Sequence, residues 1–67
     1  MESVKSCLIE KTKLLKDNLI TTPKLEARLL LAKAINKDLN WTYLNLEKKI
    51  SKKKLSKYEI LIKKKLK

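Results

Sequence analysis

Sixty-seven residues suffice for one domain with a small core, and 18 basic against seven acidic side chains leave a formal net charge of +11. The single cysteine, Cys7, excludes an internal disulfide; the absence of histidine excludes a Cys/His zinc site and the commonest general base; and the absence of glycine excludes a phosphate-cradling or dinucleotide loop. The longest uninterrupted apolar run, Leu29–Ala32, is far too short to span a bilayer, and the lysine face of the last helix lacks the Trp/Phe-rich opposite face of an interfacial helix, so no membrane partner is expected.

The lysine surplus has two readings. One is compositional: Lys, Ile, Leu and Asn are abundant, as an AT-rich genome would write them. The other is an anionic partner, with weak, non-specific nucleic-acid binding. Arg28 is the only arginine, which favours the first reading, because arginine is the better bidentate reader of phosphate and guanine.

In chain order, Ser3 is placed to cap a first helix running to about Asn18. Val4, Cys7, Leu8, Leu15 and Leu19 fall on one stripe with Leu14 at its edge, and Lys5, Glu10, Lys13, Lys16 and Asp17 lie opposite. Lys13 and Asp17 form an i,i+4 pair. On its stripe, Cys7 reads as a small buried hydrophobe rather than a reactive thiol. The lone thiol and the lack of a secretory segment point to a reducing, cytoplasmic setting. Ile9 is off the stripe, either a surface residue or a contact for something outside this chain.

The second helix organises the chain. Thr22 is an N-cap candidate whose side chain can accept an orphan N–H, Pro23 suits the first helical position, and Glu26 sits where the helix dipole favours negative charge. Glu26 reads as a dipole or ion-pair residue, with Lys33 or Arg28, or as an anchor for a neighbouring domain. Leu25, Ala27, Leu29, Leu30, Leu31, Ala32, Ala34 and Ile35 cover most of the wheel, so residues 23–35 predict a buried central helix with Leu30 in its core. Asn36 is placed for the left-handed stop.

Asp38 then caps a brief third helix, Leu39 to about Asn45, whose Trp41 and Tyr43 or Leu44 can lie over the central one. Trp41 lacks a second aromatic platform and reads as core or half-core. After a loop over Leu46–Ser51, Ser51 caps the last helix, with Ile50 and Leu55 as a hydrophobic staple. Its apolar stripe is Leu55, Tyr58, Leu61, Ile62 and Leu66. Lys53, Lys57 and Lys64 run down the opposite side, and Ile60, like Ile9, points off the stripe. Lys52, Lys53 and Lys54 oppose the dipole of the first turn, which folding does not ask for. Lys63–Lys67 carries no stop signal, so the chain reads as the front piece of a longer one. The expected fold is all-α, a small bundle of four main helices, with room for a fifth short one, around the helix 23–35.

The run Thr22-Pro23-Lys24-Leu25-Glu26-Ala27-Arg28-Leu29-Leu30-Leu31-Ala32-Lys33-Ala34-Ile35-Asn36-Lys37 resembles the second helix of peptide-chain-release-factor glutamine methyltransferases. That family opens this helix on Ser/Asp/Thr-Pro and carries an acidic-Ala pair and a Leu-rich run. A Gly-Lys/Arg turn, a short helix and a Leu-Ser/Thr start to a charged helix follow, here Ile50-Ser51 and Lys52 to Lys65. The likeness covers essentially the whole chain in order and spacing. The departures are Asn36 for Gly, Lys33 where His is common, and Lys at 52–54 where acids are common.

The resemblance implies that residues 1–67 are a single helical N-terminal substrate-recognition domain, with a catalytic domain downstream. That domain would bind S-adenosylmethionine and methylate the glutamine of the Gly-Gly-Gln tip of class I release factors. Its Asn-Pro-Pro-Tyr motif and glycine-rich cofactor loop lie outside this sequence, so no catalytic, cofactor or metal residue is assigned. The expected partners are a class I release factor and the chain's own catalytic domain, and the candidate contact residues are Lys53, Lys57, Lys64, Ile9 and Ile60. A different class of reading is a free-standing basic helical module binding RNA or ribosome non-specifically.

Overall fold

The structure is a computed structural model and describes residues 2–66. Four helices follow one another: α1 (Val4–Asp17), α2 (Pro23–Ile35), α3 (Leu39–Leu44) and α4 (Lys52–Leu66). Among the described residues there is no fifth helix, and the only extended pairing is an isolated antiparallel bridge between Ser3 and Lys49. The all-α expectation holds.

Two of the expected caps form as read. Ser3 and Asp38 are extended (ψ 164° and 170°), so their side-chain oxygens accept the Ser6 N–H at 3.2 Å and the Trp41 N–H at 2.8 Å. Ser51 accepts from Lys54 N–H at a long 3.4 Å. Thr22 does not cap with its side chain. Its ψ of 67° is about 100° short of that at Ser3 and Asp38, which turns the hydroxyl away. Pro23 removes one of the orphan donors instead, and the Thr22 carbonyl accepts the Glu26 N–H at 2.9 Å.

Both helices of the first hairpin stop in the same way. After α1, Leu19 (φ 63°) is left-handed, with Leu19 N–H to Lys16 O at 3.0 Å and Ile20 N–H to Leu15 O at 3.1 Å. After α2, Asn36 (φ 58°) is left-handed, with Asn36 N–H to Lys33 O at 3.3 Å and Lys37 N–H to Ala32 O at 3.0 Å. Each is a Schellman closure that satisfies the last carbonyls. Leu19 was expected on the buried stripe; the reversal swings it out, and it is 91% exposed. Ile20 packs on the core in its place.

α2 packs against α1, α3 and α4, as a central helix should. Ala27, Leu31, Ala34 and Ile35 join Val4, Cys7, Leu8 and Leu15 of α1, Ile50, and Tyr58 and Ile62 of α4 in one core. Leu30 is only partly buried, while Leu31 is fully so. Three neighbours do not enclose the helix, and Leu25 and Leu29 remain 45% and 43% exposed. Residues 25, 29 and 33 share the sector left open, so the apolar circumference does not mean burial on every side.

The loop before α4 straps the start of α1. Val4 and Lys5 N–H donate to the Lys48 and Leu46 carbonyls at 2.8 and 3.0 Å, and Ile50 N–H donates to Glu2 O at 2.8 Å. Two of the orphan N–H groups of α1 are thereby satisfied from across the fold. The staple residues Ile50 and Leu55 both belong to the core assembly.

Candidate partner-binding surface

The polar contacts of the interior fix how the helices face outward. Lys11 of α1 is 6% exposed, and its Nζ lies 3.0 Å from Glu10 Oε1 and 3.2 Å from Glu59 Oε1 of α4. Burial opposes its charge, but the two carboxylate hydrogen bonds and their field outweigh that and raise its pKa. Nearby, burial pushes the Cys7 thiol up to about 11, so at neutral pH it is a protonated, enclosed thiol, as its stripe position suggested. Tyr58 hydroxyl donates to Ala27 O at 2.9 Å, and burial raises its pKa as well.

Glu26 pairs with Lys65 of α4 at 3.3 Å rather than with Lys33 or Arg28. Arg28 instead holds α3: it donates to Thr42 Oγ1 at 3.2 Å and lies 3.9 Å from the Tyr43 ring centroid. Among the described residues, Lys13 and Asp17 are not in ion-pair contact. Trp41 is half-buried against the core, with Lys37 Nζ 5.8 Å from its ring centroid. Leu44 and Tyr43, offered as alternatives to cover α2, are exposed, Tyr43 touching α2 through Arg28 alone of the contacts above.

Lys53, Lys57, Ile60 and Lys64 recur at i, i+4, i+7 and i+11, so they line one side of α4, away from Tyr58 and Ile62. All four are exposed, and Ile60 is 55% so. Lys53 and Lys57 also border a hollow at the end of α2, with Lys37 and Lys54. The hollow shares Ile35, Lys37 and Lys54 with a second one reaching Trp41, Lys48 and Lys49. Six lysines thus surround one end of the bundle, and no carboxylate lines either hollow. The role of Lys37 and Trp41 here was not read from the sequence, because they come from a different segment than the lysine-rich last helix.

Ile9 does not join this surface. It is 62% exposed on α1, on the same side as Thr12, Lys13 and Lys16, which wall an apolar groove completed by Pro23 and Leu25. The five candidate residues therefore divide between two faces.

The sequence pattern of the PrmC N-terminal domain matches residues 6–67. The chain belongs to the PrmC N-terminal domain family. The likeness read over essentially the whole chain is thus matched from residue 6 onward. No match was found among curated proteins, and none among solved structures. Among the described residues, no helix is long and apolar enough to cross a membrane.

Proposed function

We propose that this chain recognises and positions a class I peptide release factor for a cytoplasmic S-adenosylmethionine-dependent methyltransferase that modifies the glutamine of the factor's Gly-Gly-Gln tip. The observation that carries the reading is the family match over residues 6–67. The chain supplies no catalytic or cofactor residue; the catalytic domain of the same enzyme, which is also its packing partner, does so. Its contribution is geometric, because holding a protein substrate in register can be worth orders of magnitude in rate without touching the chemistry.

On this reading, Lys53, Lys57 and Lys64, with Ile60 among them, offer an acidic factor a charged face with an apolar centre. Such complementarity mainly accelerates encounter. Deleting residues 1–67 from the parent enzyme is expected to depress methylation of intact release factor far more than methylation of a short Gly-Gly-Gln peptide. Equal activity of the truncated and complete enzymes on the intact factor would make the segment a stabilising cap instead.

The six-lysine end around Lys37, Lys54 and Trp41 favours a second reading, non-specific binding of RNA or ribosome. That binding would weaken steeply between low and physiological salt, as phosphate contacts release counterions. Sequence-selective binding that survives high salt would displace the first reading.

A further inference from the structure

The groove between α1 and the start of α2 is a separate feature, on the face that carries Ile9 rather than the α4 lysines. Pro23 and Leu25 from α2 are its apolar residues, and the stems and methyls of the lysines and threonines around them, Thr12 and Thr22 among these, complete its walls. Lys13, Lys16 and Lys24 stand on its rim with one carboxylate, Asp17. Among the described residues, none of these three lysines is in an ion pair.

Apolar exposure continues beyond the groove on both walls. On α1, Ile9 precedes Thr12, Lys13 and Lys16 by three, four and seven residues, so it lies on their side one turn up. On α2, Leu29 follows Leu25 by four residues, about 6 Å along the axis. Ile9, Leu25 and Leu29 are all more than 40% exposed. The folding of the bundle does not use them, since its core closes around Leu31 and Tyr58 without them.

We propose that this groove is a docking site for an amphipathic helix of a protein partner, bearing apolar side chains at i and i+4 and acidic side chains on its flanks. The apolar strip sets the helical spacing, because levels one turn apart on the walls meet levels one turn apart on the incoming helix. The lysine rim sets the sign of the flanks: three cations against one carboxylate attract acids and repel a basic helix. The proposal does not depend on the identity of the substrate that the α4 face serves.

The test uses the 67-residue chain and a fluorescein-labelled peptide of about 16 residues, long enough to populate a helix. It carries Leu at i and i+4 repeats and Glu on the flanks. A second peptide has the same composition, with its Leu residues moved to alternate faces. Anisotropy is expected to show binding of the first peptide and at least about tenfold weaker binding of the second. The Ile9→Ser/Leu25→Ser double variant, both positions being exposed, should keep its far-UV dichroism and lose about tenfold in affinity for the first peptide. Amide shifts should map to Thr12, Lys13, Lys16 and Leu25. The proposal is overturned by no binding of the first peptide, by equal binding of the two, by unchanged affinity of the double variant, or by shifts that fall on the α4 lysines instead. An RNA oligonucleotide that perturbs the groove amides and displaces the peptide would assign the site to nucleic acid and overturn it as well.

Discussion

Leu19 shows how much a single residue can hold against local preference. A left-handed conformation brings the Cβ of a leucine against its own carbonyl, at a cost of about 1–2 kcal/mol. Here the residue is left-handed with φ 63°, and its side chain recovers nothing by burial, being 91% exposed. Leu19→Gly is therefore expected to stabilise the fold by about 1 kcal/mol, read as a higher denaturant midpoint at constant slope. A lower midpoint would mean that the exposed Leu19 has packing partners in solution. Lys11 is the opposite case, a charge where the helix wheel wants an apolar residue. It follows Cys7 by four and precedes Leu15 by four, so the spacing put it on the buried stripe although the stripe as read left it out; Glu59, 48 residues on, had no signal in the spacing. Since Glu10 and Glu59 are themselves more than half exposed, losing Lys11 strands neither. Lys11→Met should leave stability unchanged or raised, whereas a large loss would show that the ion pairs outweigh the desolvation of the ammonium. Cys7 gives a pH signature. Below its ordinary value of 9.0 both folded and unfolded thiols are protonated; above it the unfolded thiol ionises while the folded one holds its proton to about 11, so stability falls as pH rises through that window. From pH 9.0 to 10.0 the fall is free of the Lys11 and Tyr58 contributions, because their raised pKa values act only above 10.5 and 10.0. Stability curves of Cys7→Ala should be flatter there than those of the parent chain.

At the scale of elements, α1 and α4 were legible from an apolar stripe of period 3.6, α2 from its apolar circumference, and the starts of α1, α2 and α3 from ends that side chains can make. Ser3, Asp38, Pro23 and Asn36 are such ends, and all four sit where local chemistry places them. What was not legible depended on tertiary neighbours. The strap of Leu46 and Lys48 carbonyls over the N-terminus of α1 is a backbone contact with no side-chain signature. Likewise, a helix apolar nearly all round does not say which sector its neighbours leave open, and here that sector holds Leu25 and Leu29 while Leu31 takes the centre. The candidate surface divides along the same line. Lys53, Lys57, Ile60 and Lys64 share a face by spacing alone, whereas their meeting with Lys37 and Trp41 required the packing of α2 against α4. Leu31→Asp tests the centre of the helix. Burying an unpaired carboxylate costs several kcal/mol, and a domain of this size holds roughly 3–10 kcal/mol in all. The variant should lose most of its helical dichroism at neutral pH, while Leu29→Asp, in the open sector, should stay folded with a near-parental midpoint. A folded Leu31→Asp chain would mean that α2 is not the element on which the others depend.

For the whole molecule, the governing quantity is charge. At +11 on 67 residues, self-repulsion works against the compact state, and the lysines at the start of α4 add a local conflict with its dipole. Among the described residues only two lysines, Lys11 and Lys65, are in ion pairs, so most of the surplus faces solvent uncompensated. A lysine surplus written by genome composition and one retained for a partner make different predictions when Lys53, Lys57 and Lys64 are reversed to Glu. Each reversal lowers the net charge by two, and all three residues are exposed and outside the core, so folding should survive and thermal stability at low salt should rise or hold. If the face steers an acidic release factor, the association rate should fall by one to two orders of magnitude at low salt, by roughly the range electrostatic steering spans, while dissociation changes little. The salt dependence of the rate should flatten at the same time, because screening then has less attraction to remove. Stopped-flow association of the triple variant in the parent enzyme, at low and at physiological ionic strength, separates the two accounts. An association rate and salt slope equal to those of the parent would assign the lysines to composition and move recognition to the groove beside Ile9 and Leu25 or to the catalytic domain.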